Sequence, residues 1–168
     1  MQRRMTEDEL ARFYHEIGRA IWNMQYVEKA LGYFIVITGK DLEPNSLTPS
    51  EAEKILSSIQ KKTLGALVNE IAKKKLLPPA LVIKVEKFNS ERRWLVHKSL
   101  IESGEDLYNE DGRNTVFRRI ELFTNEALLL QKLIHAEVNK YFSSIGVDIT
   151  PFNKEAEKTL TKLRGTVA

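Results

Sequence analysis

Two long stretches of this chain repeat apolar residues every three or four positions, and that repeat limits the possible folds more than any other feature. The first stretch carries Leu10, Phe13, Ile17, Ile21, Met24, Val27, Leu31 and Phe34, and the second carries Val116, Ile120, Phe123, Ala127, Leu130 and Ile134. Such spacing places the apolar side chains on one face of an α-helix, and no stretch keeps the strict alternation that is typical of a β-strand. The sequence therefore predicts an all-α fold, an antiparallel bundle of four to six helices.

Capping residues, prolines and glycines predict where these helices begin and end. Thr6, followed by three acidic residues, and Thr48, followed by Pro49 and Glu51, have the composition of helix N-termini, and Gly39 is expected to close the first helix. One domain is predicted over residues 1–168. The predicted helices span about residues 6–38, 48–60, 61–77, 79–102, 114–144 and 151–163, with a polar loop that contains the turn signal Asp111–Gly112 and a frayed tail at residues 164–168.

The composition excludes several classes of protein. The chain has 168 residues, of which 42% are hydrophobic and 29% charged, and its net charge of +3 is too small to argue for a polyanionic partner. It has no cysteine, so disulfides and cysteine-based zinc sites are excluded. The charged N-terminus lacks the apolar core of a signal peptide, and no apolar run reaches the roughly 20 residues that cross a bilayer. We therefore expect a soluble, cytoplasmic protein with no membrane association.

The helix predicted at residues 79–102 is apolar on two sides. Arg92 lies in the core-facing row, where it needs either a carboxylate, for which Glu28 is one candidate, or a cleft. The opposite side combines Trp94 and other apolar residues with Arg93 and His97, so we expect another part of the chain or a second protomer to cover it. At about 100° per residue, the core-facing row holds Leu81, Val85, Phe88, Arg92, Leu95 and Ser99, and the opposite side holds Val82, Ile83, Trp94, Leu100 and Ile101.

The segment NSERRWLVHKSL at residues 89–100 resembles the Arg-x4–6-His signature of the HEPN superfamily, with Arg92 and His97 as its arginine and histidine. The Thr63–Leu64–Gly65 segment and the Leu-Val-His run that ends at His97 are also similar to small prokaryotic HEPN-like proteins. The likeness covers roughly residues 60–140. Members of this family are all-α bundles, and many are metal-independent endoribonucleases of toxin–antitoxin and phage-defence systems. The resemblance implies a homodimer in which two Arg/His pairs form one composite cleft.

The resemblance also implies that Arg92 and His97 are the catalytic residues and that no metal or other cofactor is needed. A histidine titrates near neutrality and can accept the proton of an RNA 2′-hydroxyl group, while an arginine stays charged and stabilises the phosphate. We assign Ser90, Arg93 and Lys98, which surround this pair, to substrate binding. RNA is the implied substrate, and an antitoxin or a nucleotidyltransferase-like protein is the implied partner.

Two alternatives remain open at this point. On an ideal helix Arg92 and His97 are roughly 140° apart, whereas Arg93 and His97 are roughly 40° apart, so either arginine is a candidate neighbour of the histidine. Arg93 also stands where the family usually has Asn, Asp or His, which favours a non-catalytic dimerisation or protein-interaction module of the same fold. In that module Arg92 forms a buried structural ion pair and His97 packs at an interface. His15 and His135 have no metal-type spacing, so we expect structural or surface roles for them.

Overall fold

The computed structural model describes residues 2–38 and 48–165, apart from the side chains of residues 49, 52 and 60. All regular secondary structure in these ranges is helical, which confirms the predicted all-α bundle. A single π-helical turn, Trp94–Lys98, joins two of the α-helices, and a 3-10 turn, Glu105–Tyr108, precedes another. The α-helices are α1 (Glu7–Thr38), α2 (Pro49–Gln60), α3 (Leu64–Lys74), α4 (Pro79–Arg93), α5 (Ser99–Ser103), α6 (Glu110–Ser144) and α7 (Thr150–Leu163).

The first two helices begin at the predicted capping residues. The Glu9 backbone N–H donates to Thr6 Oγ1 at 3.3 Å, and the Thr6 N–H donates to Glu9 Oε2 at 2.7 Å. The same reciprocal pair joins Thr48 and Glu51, at 3.4 and 2.9 Å. Each pair satisfies backbone N–H groups that have no partner inside the helix. Gly39, which was predicted to close α1, lies outside the described residues, and so do residues 166–168 of the predicted tail.

The predicted turn at Asp111–Gly112 is wrong, because both residues belong to the first turn of α6. Asn109 caps this helix by accepting a hydrogen bond from the Gly112 N–H at 2.6 Å, so the helix begins four residues before the predicted start. A side chain at position 112 would overlap the carbonyl oxygen of Asp106 in the preceding 3-10 turn. The glycine therefore permits a close approach of two backbone segments rather than a reversal of the chain.

The core lies between α1, α3, α4 and α6. It includes the whole apolar repeat of α6 and the repeat of α1 from Met24 onward, while Phe13, Ile17 and Ile21 pack against it and Leu10 is exposed. α1 and α6 run parallel, because Phe13 packs edge-on against Phe117 and the Gln131 side chain reaches the Asn23 carbonyl at 3.3 Å. α4 runs antiparallel to α6, with the rings of Phe88 and Phe123 stacked at 4.5 Å between centroids. The antiparallel packing that the sequence predicts thus holds for α4 against α6.

Buried Arg113 ties the N-terminal segment to the start of α6. Its guanidinium group donates to the carbonyl oxygens of Arg3 and Leu107, at 3.4 and 3.2 Å, and lies 3.7 Å from the Glu9 carboxylate. Glu9 also binds Arg3 through two contacts of 2.6 and 2.7 Å. The Arg3 contact, together with the bond from the Thr6 N–H, lowers the pKa of Glu9 from 4.5 to about 2.

α7 forms at the predicted place but has no buried residue. Its apolar residues, including Phe152 and Leu163, are exposed to solvent. Among the helices that the structure describes, none has a segment long and apolar enough to span a membrane.

Candidate functional site

The motif-bearing segment contains a π turn that the sequence did not predict. The helix expected at residues 79–102 is divided into α4, the π turn Trp94–Lys98 and α5, and the Ser99 N–H donates to the Trp94 carbonyl five residues earlier. A π turn contains one more residue than an α-helical turn. The side chains that follow it are therefore rotated about the helix axis by up to about 100° relative to their positions on a continuous α-helix. Residues after the turn therefore face a different direction from the one that a continuous α-helix gives.

The relation between the two arginines and His97 depends on where within the π turn the extra residue lies. Among the residues that bound the turn, Arg93 and Trp94 keep α-helical backbone angles, whereas Lys98, which follows His97, departs from them with φ −123° and ψ −19°. A full change of about 100° before His97 would place Arg92 about 40° and Arg93 about 60° from it, and a change after His97 leaves the two separations at about 140° and 40°. Both arginines therefore stay candidate neighbours of His97.

Arg92 is half-buried at the end of α4. Its Nε atom is shielded from solvent and has no hydrogen-bond partner within residues 2–38 and 48–165. The Oδ1 atom of Asn89, three positions earlier on α4, is buried and is also unpartnered in this part of the chain. A buried polar atom without a partner costs free energy, so Arg92 keeps hydrogen-bonding capacity that the rest of the described fold does not use.

Glu28, a candidate partner for Arg92, has another role, so that prediction is wrong. Its Oε1 atom accepts a hydrogen bond at 3.0 Å from the backbone N–H of Leu64, the first residue of α3. The carboxylate thus satisfies one of the free N–H groups at a helix N-terminus, where negative charge is favoured. No described carboxylate forms an ion pair with Arg92, which leaves the predicted structural ion pair without a partner in these ranges.

His97 and the residues assigned to substrate binding are all exposed. His97 and Arg93 have no hydrogen-bond or ion-pair partner among the described side chains, so both are available to a ligand. The Ser90 hydroxyl donates to the Glu86 carbonyl one turn earlier at 3.2 Å, and Lys98 lies 3.5 Å from the Glu102 carboxylate. Neither contact is buried, and a phosphate oxygen can replace each at little cost. His15 and His135 are exposed on other helices, as predicted for surface residues.

Trp94 faces the core instead of the second side of the helix, where the sequence analysis placed it. It is only 3% exposed, and the guanidinium group of Arg119 in α6 lies over its ring at 3.7 Å from the centroid. The predicted second face therefore loses its largest apolar residue. The contact with α6 accounts for the difference, because Trp94 keeps α-helical backbone angles and α6 covers the side of α4 from which it projects.

Of the other apolar residues predicted on the second face, Ile83, Leu100 and Ile101 are exposed, whereas Val82 is half-buried against the core. Leu100 is 81% and Ile101 is 86% exposed, and Ile83 and Val96 are exposed as well. These four residues, which we call the apolar patch, accompany His97 and Arg93 along α4, the π turn and α5. Isolated exposed apolar residues are common on protein surfaces, but a cluster along one segment is typical of an interface.

Sequence reasoning missed Arg119 and Glu91, which flank the motif in space. Arg119 donates to the two carboxylate oxygens of Glu91 at 2.8 and 3.1 Å, across 28 positions of the chain. No sequence pattern pairs residues at that separation, so the contact required the fold. Glu91 and Arg119 also line a groove of about 400 Å³ between α4 and α6.

The described residues contain no group of three His, Cys, Asp or Glu side chains placed to hold a metal ion. Comparison of the chain with models of protein families, with curated proteins and with solved structures finds no match. The resemblance to HEPN proteins therefore has no support beyond the residues of the motif and the class of the fold.

Proposed function

We propose that this protein is a metal-independent endoribonuclease of the HEPN type, with a site formed by Arg92 and His97. The observation that carries the proposal is the π turn, which coincides with the motif, because π turns inside α-helices are rare and are frequent at functional sites. The arginine has an unpartnered, shielded nitrogen atom, and the histidine is accessible to a substrate. A toxin–antitoxin or phage-defence role, with an antitoxin or nucleotidyltransferase-like partner, belongs to the same proposal.

The proposed reaction is an attack of the RNA on its own backbone. His97 accepts the proton of the 2′-hydroxyl group, the 2′-oxygen forms a bond to phosphorus, and the bond from phosphorus to the 5′-oxygen breaks. The leaving 5′-oxygen takes up a proton, which the His97 of a second copy supplies as its imidazolium. Arg92 donates hydrogen bonds to the phosphate oxygens as negative charge develops on them. The products are a 2′,3′-cyclic phosphate and a 5′-hydroxyl group.

The proposal includes a homodimer that brings two copies of the site together. One copy exposes a single His97, whereas the in-line reaction needs a proton acceptor at the 2′-oxygen and a proton donor at the 5′-oxygen, on opposite sides of phosphorus. The apolar patch accompanies His97, so pairing of two such patches about a two-fold axis brings the histidines near each other. Ser90, Arg93 and Lys98 then contact the flanking phosphates.

The test is cleavage of single-stranded RNA in the presence of a chelator. We expect His97→Ala to lower the cleavage rate about 10²–10⁴-fold and Arg92→Gln about 10²–10³-fold, since one loses the proton acceptor and the other the charge on the phosphate. His135→Ala and Arg118→Ala, which alter exposed residues of α6, are matched controls and should cleave like the wild type. The absence of cleavage by the wild type, or equal cleavage by all five proteins, rules out the proposed activity.

The same assay separates the two arginines. Arg93→Ala should weaken RNA binding with little effect on the maximal rate, because an exposed arginine that contacts only flanking phosphates lowers affinity in both the ground and transition states. A larger loss of maximal rate in Arg93→Ala than in Arg92→Gln would transfer the catalytic role to Arg93.

A second candidate function is a non-catalytic dimerisation or protein-interaction module, which the apolar patch specifically favours. Leu100 and Ile101 are the two most exposed large apolar residues of the described chain. Their exposure requires a covering partner but not a reaction. This function predicts no cleavage by the wild type, together with self-association that depends on the patch.

Sedimentation of the wild type and of a Leu100→Ser, Ile101→Ser double variant tests the module. We expect the wild type to sediment as a dimer and the double variant as a monomer, while Leu122→Ser, an exposed leucine of α6, stays dimeric. A wild type that is monomeric at all concentrations counts against both functions, because each requires the patch to be covered.

A further inference from the structure

Arg119 holds the motif-bearing segment from outside the motif. It extends from α6 and contacts Glu91, the residue of α4 before Arg92, and Trp94, the first residue of the π turn, two positions after Arg92. The distances are 2.8 and 3.1 Å to the two carboxylate oxygens and 3.7 Å from the guanidinium carbon to the centre of the indole ring. One side chain thus fixes the residues on both sides of Arg92.

Only arginine can make these two contacts at once. The edge of a guanidinium group carries parallel N–H donors that match a carboxylate, and its flat face stacks on an aromatic ring. A lysine keeps the charge but has neither the planar face nor the fork of donors. The contacts of residue 119 therefore depend on the shape of the guanidinium group as well as on its charge.

The π turn has few other side-chain contacts that fix its position. Trp94 is its first residue, and the indole Nε1 atom, although buried, has no hydrogen-bond partner in the part of the chain that the structure describes. Leu95 packs in the core, whereas Val96, His97 and Lys98 are exposed. The orientation of the indole ring thus depends on packing and on the Arg119 guanidinium group that covers it.

We infer that Arg119 is a positioning residue for the proposed site: by clamping Glu91 and Trp94 it holds the π turn, which carries His97, in a fixed position relative to α4, which carries Arg92. This inference rests on the proposed function for its consequence in catalysis. The clamp itself is a property of the fold and can be measured without RNA. Arg119 does not touch the substrate, and it acts through the two residues that it holds.

Amide hydrogen exchange measures the clamp directly. Removal of Arg119 should increase local opening of the π turn, so we expect Arg119→Ala to exchange the amides of residues 94–99 roughly tenfold faster while the core of α1 keeps its protection. Arg118→Ala is the matched control, because it removes the adjacent, exposed arginine of the same helix. Equal exchange in the two variants would overturn the inference.

Arg119→Lys distinguishes positioning from simple charge pairing. If Arg119 only neutralises Glu91, lysine should restore the exchange rates of the wild type, and the inference fails. If stacking on Trp94 is needed, Arg119→Lys should resemble Arg119→Ala. The fluorescence of Trp94 provides a second readout in a Trp22→Phe background, since Trp22 is exposed and Trp94 is buried. We expect a red shift in both Arg119 variants and none in Arg118→Ala.

The cleavage assay then links the clamp to the site. With an active wild type we expect Arg119→Ala to lower kcat roughly tenfold and to leave KM nearly unchanged, because the loss falls on the geometry of the transition state rather than on RNA affinity. Faster exchange with an unchanged kcat would show that the clamp does not serve catalysis and would overturn the inference. If the wild type does not cleave RNA, the proposed function fails, and the exchange comparison alone decides whether Arg119 holds the π turn.

Discussion

Glu28 is expected to stabilise the bundle by capping a helix that lies 36 positions away. It accepts a hydrogen bond from the backbone N–H of Leu64 at 3.0 Å, and Leu64 is completely buried. The first N–H groups of a helix have no partner within the helix, and a carboxylate at this end also interacts favourably with the helix dipole. We therefore predict that Glu28→Ala destabilises the protein and Glu28→Gln does so less.

The expected magnitude depends on how well water can replace the carboxylate. A buried N–H without an acceptor costs about 1–3 kcal/mol. Glu28 also lines a cavity of about 240 Å³ between α1, α2 and α3, which gives water access to the freed group. We therefore expect a loss in the lower half of that range, about 1–2 kcal/mol, for Glu28→Ala. Glu28→Gln keeps an acceptor oxygen and loses mainly the dipole interaction, about 0.3–1 kcal/mol.

Urea unfolding followed by circular dichroism measures these differences, with Glu53→Ala, an exposed glutamate of α2, as the control. In thermal unfolding of the same variants, the melting temperature should fall by roughly 2–4 °C for each kcal/mol of lost stability, as expected for a chain of this size. A Glu28→Ala variant as stable as the control, or a Glu28→Gln variant as unstable as Glu28→Ala, would refute the capping argument. RNA cleavage should be unaffected by either change, because Glu28 binds the backbone of α3 and not Arg92.

Three further predictions concern the first helix. Gly18→Ala should raise the free energy of unfolding by about 0.5–1 kcal/mol, since alanine favours the helix and no atom lies within 4 Å of the added methyl group. Gly32→Ala should lower the free energy of unfolding by up to about 2 kcal/mol, because the methyl group would lie 2.7 Å from Ile59 Cγ2. Equal stability of the two glycine variants in thermal unfolding would contradict this reasoning. The contact with Arg3 is the main cause that lowers the pKa of Glu9 from 4.5 to about 2. The ionised carboxylate therefore contributes its full stabilisation of the fold above pH 4.5, and this contribution is lost as the pH falls toward 2. The difference in melting temperature between the wild type and Glu9→Gln should therefore shrink over that interval, and a constant difference would show that the ionised carboxylate does not stabilise the fold.

The sequence predicted those features of the fold that depend on neighbours in the chain. The capping pairs at Thr6 and Thr48 each join residues three positions apart, and the apolar repeats of α1 and α6 select the buried face by helix geometry alone. Such interactions are local, so a pattern in the sequence is enough to find them. The capping Asn109 is local too, but the Asp111–Gly112 pair, which is also common in turns, led the prediction away from it.

The features that the sequence could not predict are set by contacts between distant segments. Nothing near Trp94 in the sequence indicates a π turn, and the direction of its side chain is determined with Arg119, which lies on another helix. Glu28 was a reasonable partner for Arg92 because a buried arginine needs a carboxylate. The start of α3 occupies that carboxylate instead. For the candidate site, the sequence predicted the residues, whereas the π turn and the contacts of Arg119 around them were found only in the fold.

The two candidate functions use the same surface, and the apolar patch connects them. Leu100 and Ile101 follow the π turn directly, so any movement of the turn relative to α4 also moves the patch relative to Arg92. In a composite site the histidine that accepts a proton and the one that returns it belong to different copies, and the patch is then part of the catalytic machinery although it touches no RNA. Loss of the dimer must then abolish cleavage even with Arg92 and His97 intact. If the protein is only an interaction module, loss of the dimer changes no RNA cleavage, because the wild type does not cleave RNA either.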